Sequence, residues 1–170
     1  MKTIIGSRVP AVPLGYVHSG AVEAISTDKL FANSSAVVIG IPGAFTPVCS
    51  NQHVPNFVAN ADLLVASGYG KLVCISANDP FVLAAWKREI DPADKILFLS
   101  DGNLEFCSAL GLVIENKSLF LGRRSQRYLL IIQNMKIQYV RVEDDILDYS
   151  CTKAEDVIAH DGMRRVGAVS

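Results

Sequence analysis

Apolar residues along the chain keep two rhythms, and the switches between them mark out the elements. Three short apolar runs, Ala36 to Ile41, Lys71 to Ser76 and Ile96 to Leu99, are nearly continuous rather than alternating, as in strands buried on both faces of a sheet. Between them the spacing turns helical. Phe57, Ala61, Leu64 and Val65 recur on one helix that Gly68 and Gly70 close. Phe81, Leu83, Ala84 and Trp86 recur on a second, opened by Asn78 or Asp79 as cap with Pro80 as first residue. Ser100-Asp101-Gly102-Asn103 ends the third run, and Leu104, Cys107, Ala109 and Leu110 then suggest a short helix.

The two ends read less regularly. Pro10 and Pro13 mark Met1 to Leu14 as an irregular or edge segment; Tyr16 to Ala24 suits a short strand or hairpin, and Ser26 to Phe31 a turn or one-turn helix. Tyr128 to Ile132 and Ile137 to Val142 are two strands joined through Asn134 as a hairpin. Thr152-x-x-Glu155 has the form of a capping box and predicts a C-terminal helix through about His160. Strand and helix alternate over the first two thirds, and a hairpin plus helix ends the chain. This order predicts a three-layer α/β domain spanning 1–170, a mixed central sheet flanked by helices, with parallel strands on one side and an antiparallel pair on the other. The thioredoxin fold has this order of elements.

Composition narrows the function by exclusion. The chain has 170 residues, half of them hydrophobic, enough to bury a core within one domain. Sixteen basic against seventeen acidic residues, with no basic run beyond the Arg123-Arg124 and Arg164-Arg165 pairs, argue against nucleic acid or an anionic membrane surface as partner. Apolar stretches of about six residues fall far short of the ~20 that a bilayer span needs. The N-terminus lacks the charged start, apolar core and cleavage site of a signal segment, so the chain is expected in the cytoplasm, or in an organelle if a targeting segment was removed. Four cysteines, at 49, 74, 107 and 151, form no C-x-x-C pair and suit a reducing compartment. Cys49 and His53 alone are too few to hold a metal.

The chemistry gathers at Gly40 to Phe57, G-I-P-G-A-F-T-P-V-C-S-N-Q-H-V-P-N-F. The first apolar run feeds a turn at Pro42-Gly43, after which Thr46 as N-cap and Pro47 as first helical residue start a helix. Cys49 falls in the first turn, where unpaired N–H groups and the helix dipole favour a thiolate over a thiol. Pro55 is expected to kink this helix or end its first segment. A lone cysteine is by default a small buried hydrophobe. The whole string overrides that default: P-G-A-F-T-P-x-C-S-x-x-H-x-P, Pro42 to Pro55 without a gap, resembles the active-site signature of the peroxiredoxins, in particular the type II or peroxiredoxin-5-like branch. Cys74 to Val82, Trp86 and Ser100-Asp101-Gly102 extend the resemblance, which weakens at Gln133-Asn134-Met135-Lys136, where an Asp-Gly turn is usual. Thr46-Pro47-Val48-Cys49 also resembles the C-x-x-C of the thioredoxin fold with a hydroxyl in place of the first sulfur.

The resemblance implies a thiol peroxidase acting on hydrogen peroxide and alkyl hydroperoxides, without metal or organic cofactor. Its reductant would be thioredoxin, or glutaredoxin with glutathione, and the enzyme a homodimer packed near the active-site edge. Cys49 would be the peroxidatic nucleophile, Thr46 would offer its hydroxyl to thiolate or peroxide, and Pro42 would shield the pocket. A fixed arginine fork is the expected remaining partner, and of Arg123, Arg124 and Arg127 the resemblance favours Arg127, with Arg124 second. His53 would be a supporting hydrogen-bonding residue rather than a general base. The cysteine that resolves the sulfenic acid stays open: Cys151 stands where animal-type relatives carry it and Cys74 where plant-type relatives do, and a loop position favours Cys151. Cys107 reads as core. A non-enzymatic redox sensor on the same fold is the alternative reading.

Overall fold

The computed structural model describes residues 4–167. A hairpin of β1 (Pro13–His18) and β2 (Ala21–Ser26) leads through α1 (Thr27–Phe31) to β3 (Ser35–Ile41). A π-helical turn, Cys49–His53, runs into α2 (Val54–Ala66), followed by β4 (Lys71–Ser76), α3 (Pro80–Ile90), β5 (Leu97–Ser100) and α4 (Glu105–Leu110). The small strands β6 (Val113–Asn116) and β7 (Gly122–Ser125), the pair β8 (Tyr128–Gln133) and β9 (Lys136–Val142), and α5 (Ala154–Gly167) complete the order.

Seven strands form one sheet in the order β2-β1-β5-β4-β3-β8-β9. The apolar runs become its centre: β4 pairs parallel with both β3 and β5, while β8 joins the other side of β3 antiparallel. Because neighbouring side chains on a strand point to opposite faces, these runs feed two cores. Val37, Ile39 and Ile41, with Cys74, Phe98, Leu129 and Ile131, pack under residues of α2, α3 and α5. Ala36, Val38, Val73, Ile75, Leu99, Tyr128 and Leu130 face α1 and α4.

Two sequence expectations need correction, and one hairpin is an addition to them. Antiparallel pairs stand at both edges of the sheet, because the β1–β2 hairpin turns at Ser19 and Gly20, both at positive φ, and lays β1 against β5. The β6–β7 hairpin was not anticipated: its strands lack the alternating apolar pattern that would have marked them. Thr152 and Glu155 do not form a capping box; the Thr152 hydroxyl donates to Glu143 and Glu155 accepts from Asn56, so α5 starts at Ala154 and runs past His160 to Gly167. Pro55 stands in the first turn of α2, directly after the first segment of the helix ends at His53, the boundary expected of it. The π-turn before it, in which the Val54 N–H reaches back to the Cys49 carbonyl, absorbs the missing proline donor and lets α2 continue. The β8–β9 hairpin does form without Gly: Asn134 and Met135 take φ of 47° and 67°, the two positive values of a type I′ turn.

Candidate active site

The turn after β3 is fixed before the helix begins. The Ala44 N–H donates to Asn78 Oδ1 at 2.8 Å, and Ser76 Oγ donates to the same oxygen at 2.8 Å, so the end of β4 holds the Pro42 to Phe45 turn. Of the two caps that the sequence offers for α3, Asp79 does the capping, accepting from the Phe81 and Val82 N–H groups, which leaves Asn78 for the turn. Phe45 takes a φ of 60°, a conformation costly for an aromatic residue. The Thr46 carbonyl then accepts the Ser50 N–H at 2.9 Å, as an N-cap residue does, while its hydroxyl turns back to the Gly43 carbonyl at 2.6 Å.

Cys49 sits at the base of this turn, fully buried. Arg127 precedes β8 and shares the parity of Leu129 and Ile131, which places it on the Cys49 side of the sheet. Its Nη1 donates to Cys49 Sγ at 3.3 Å and lies 3.2 Å from His53 Nδ1. Nη2 donates to the Ile146 carbonyl at 2.8 Å and Nε to the Asp148 carbonyl at 3.0 Å. An arginine only 2 % exposed, meeting sulfur, imidazole and two carbonyls, is a fixed positive fork rather than a solvated charge. Arg124, the second choice, belongs to the β6–β7 hairpin, where its Nε donates to the Leu121 carbonyl.

His53 is fully buried, and burial, followed by the neighbouring Arg127 charge, pushes its imidazole down to about 3. It is therefore neutral at physiological pH, with Nδ1 accepting from Arg127. The rings of Phe57 and Tyr149 flank it at 5.6 and 5.3 Å.

A cavity of about 210 Å³ opens over this cluster. Pro42, Thr46 and Arg127 line one part; Leu119, Leu121 and Ile146 line another. The leucines come from the β6–β7 hairpin, so the apolar mouth was invisible in the sequence.

The remaining cysteines separate by position. Cys74 points to the Cys49 side of the sheet and is raised well above the usual thiol range, by burial and then by Cys49 itself. Cys107 lies across the sheet beside Tyr128, pushed up to about 12 by burial and Asp101, a core residue as expected. Cys151 is half-buried after the loop that follows β9, its Sγ 3.6 Å from the Val142 carbonyl and its N–H donating to Glu143. Burial and then Glu143 push this thiol up. All four thiols are free. The structure thus brings together Cys49, Arg127 and His53, sets Thr46 and Pro42 on the adjoining pocket, and keeps Cys151 in a loop of its own.

A cysteine on a helix turn at the end of a central strand, backed by a buried arginine, defines a thioredoxin-fold thiol enzyme. Comparison with known proteins narrows the class. The Redoxin family profile matches residues 5–158. Peroxiredoxin-2D of Arabidopsis thaliana is 33% identical over 155 residues, covering 91% of this chain and 95% of the relative. The mitochondrial Peroxiredoxin-2F of the same plant is 35% identical over 162 residues, 92% and 81% of the two chains. Reduced Prx3 of Vibrio vulnificus, solved in complex with hydrogen peroxide, superposes with a TM-score of 0.86 at 35% identity over 92% of this chain and 98% of its own. The chain belongs to the Redoxin family and is a type II peroxiredoxin, an enzyme with thiol-dependent peroxidase activity. Peroxides as substrates and a thioredoxin-type reductant follow from that membership. Among the described residues no helix is long and apolar enough to cross a membrane.

Proposed function

We propose that Cys49 is the peroxidatic cysteine and that Arg127, Thr46 and Pro42 form its site. The observation that carries this reading is the 3.3 Å contact between Arg127 Nη1 and Cys49 Sγ under the pocket. The Cys49 thiolate attacks the terminal oxygen of ROOH; the O–O bond breaks, the alkoxide leaves and takes a proton as ROH, and Cys49 becomes a sulfenic acid. The guanidinium supplies fixed positive charge where negative charge shifts along the O–O axis. Thr46 has its own proton committed to Gly43, which leaves the oxygen as an acceptor for the peroxide hydroxyl. Pro42 shields the pocket from water. The apolar lining by Leu119, Leu121 and Ile146 suits alkyl hydroperoxides as well as hydrogen peroxide.

Cys151 resolves the sulfenic acid in this reading: its thiolate attacks the Cys49 sulfur, hydroxide leaves and takes up the proton the thiol released to give water, and a disulfide forms. Both cysteines must first move, since Cys49 is buried and the Cys151 backbone N–H is held by Glu143. Cys74 is the second choice; it faces Cys49 but lies mid-strand, paired with β3 and β5. Thioredoxin, or glutaredoxin with glutathione, then reduces the disulfide in a reducing compartment, the cytoplasm or an organelle. The exposed Leu119, Phe120 and Leu147 beside the pocket support a homodimer packed at the active-site edge.

Non-reducing peptide mapping after one equivalent of hydrogen peroxide tests the scheme, with Cys49→Ser as control. A Cys49–Cys151 linkage and no turnover in the variant are expected. A Cys49–Cys74 linkage would transfer the resolving role, and an unmodified Cys49 would remove the assignment of the nucleophile.

A further inference from the structure

The segment that holds Arg127 is tied at its far end by one carboxylate. The guanidinium is anchored by the Ile146 and Asp148 carbonyls, which belong to the segment between β9 and α5 and to no regular element. Most of that segment is exposed: Asp144, Asp145, Leu147 and Asp148 all face solvent. Short-range bonds from the Asp145 and Leu147 N–H groups shape its bend, and it packs inward through the buried Ile146 and through the Tyr149 ring beside His53.

What closes it is Glu143, at the end of β9 and 4 % exposed. Its Oε1 accepts the Ser150 N–H at 2.9 Å, the Cys151 N–H at 2.8 Å and the Thr152 hydroxyl at 2.8 Å; its Oε2 accepts the Ser150 hydroxyl at 2.8 Å. The Glu143 N–H donates to the Arg127 backbone carbonyl at 3.0 Å. The carboxylate therefore pins the far end of the strap to the strand beside Arg127, through charge-assisted bonds stronger than neutral ones. Burial acts to raise this carboxyl, but the bonds from Cys151, Ser150 and Thr152 outweigh it and hold it at about 2, so it stays ionised across physiological pH.

We propose that Glu143 is the positioning residue for Arg127: it closes the 144–152 strap, and the strap aims the guanidinium at Cys49. This rests on the reading of Arg127 given above, and its second consequence on that of Cys151. A second consequence follows from the shared acceptor. Because the Cys151 N–H is one of the four donors, departure of Cys151 toward Cys49 strips bonds from the strap. Arg127 is gripped while peroxide is reduced and slackens once the disulfide forms.

A double-mutant cycle on the rate of Cys49 sulfenic acid formation, measured by rapid quench and mass spectrometry, tests the proposal. Glu143→Ala is expected to slow oxidation about 10-fold or more in the native background, yet by less than about 2-fold in an Arg127→Ala background, the non-additivity of residues acting through one another. Glu143→Gln, which keeps the acceptor oxygen and presents an amide to Ser150 Oγ, is expected to recover most of the rate. If Glu143→Ala does not fold, the paired change Ser150→Ala with Thr152→Val removes two donors instead and is expected to show the same dependence on Arg127. Equal losses in both backgrounds overturn the positioning role while leaving Arg127 in place. An Arg127→Ala protein that oxidises at the native rate removes the assignment of Arg127 itself, and this inference with it.

Discussion

At the scale of the residue, two positions have no substitute. Arg127 makes four directed contacts from a planar fork, and a lysine has only a point charge to offer. Arg127→Lys is expected to keep the charge but slow Cys49 oxidation about 10²-fold, the scale of one lost oriented donor; stopped-flow peroxide kinetics reads it directly, and a rate near native would show that charge alone suffices. Gly40 is the second position. It stands opposite Tyr128 in the β3–β8 register, and a Cβ there would lie 2.0 Å from the ring. The ring is buried and cannot yield, so Gly40→Ala is expected to destabilise the fold by about 3 kcal/mol, the upper range for overpacking. Urea unfolding measures it, and a loss under about 1 kcal/mol would mean the ring moves aside.

Among the elements, the helix that carries Cys49 departs most from regular geometry. A π-turn adds a residue to the turn from Cys49 to His53, and Pro55 sits where a regular helix would need a donor. The extra residue sets how Cys49 and His53 project toward Arg127. Pro55→Ala restores the missing N–H and lets the turn relax toward α geometry. Peroxide reactivity is expected to fall by about 10²-fold, the order that small misplacements cost, with no drop in Tm. Unchanged kinetics would show that the π-turn is held by the Cys49–Arg127–His53 contacts and not by proline. The C-terminal helix teaches the opposite lesson. Thr152-x-x-Glu155 had the letters of a capping box, but a capping box competes locally, and the ionised Glu143 took the Thr152 hydroxyl first.

For the whole molecule, two buried titratable groups set the response to acid. His53 titrates at about 3 in the folded chain, so below its ordinary value of about 6.5 the unfolded state binds a proton that the folded state refuses. Stability therefore falls as pH falls through that window, at about 1.4 kcal/mol per pH unit. Glu143, held at about 2, adds a second loss of the same sign as pH falls below the usual carboxylate range. Unfolding free energy measured by urea is expected to decline from about pH 6 downward and more steeply below about pH 4.5. His53→Gln should flatten the upper part of the curve and leave the lower part. The same upper slope in that variant would place the acid sensitivity elsewhere.

The sequence alone determined the alternation of buried strands and amphipathic helices, the order of elements apart from the β6–β7 hairpin, and the helix turn that carries Cys49. These are set by short-range causes: side-chain period, caps and proline geometry act within a few residues. It also singled out Arg127, though only by resemblance. Tertiary structure decided what touches what. Arg127 meets Cys49 across 78 residues of chain because the β3–β8 register and strand parity put both on one face of the sheet. The same parity turns Cys74 toward that face and Cys107 away. Asn78 and Glu143, which hold the turn and the strap, could not be assigned these roles from local pattern: Asn78 reaches Ala44 because β3 and β4 pair, and Glu143 meets Ser150 and Thr152 because the loop after β9 folds back on it.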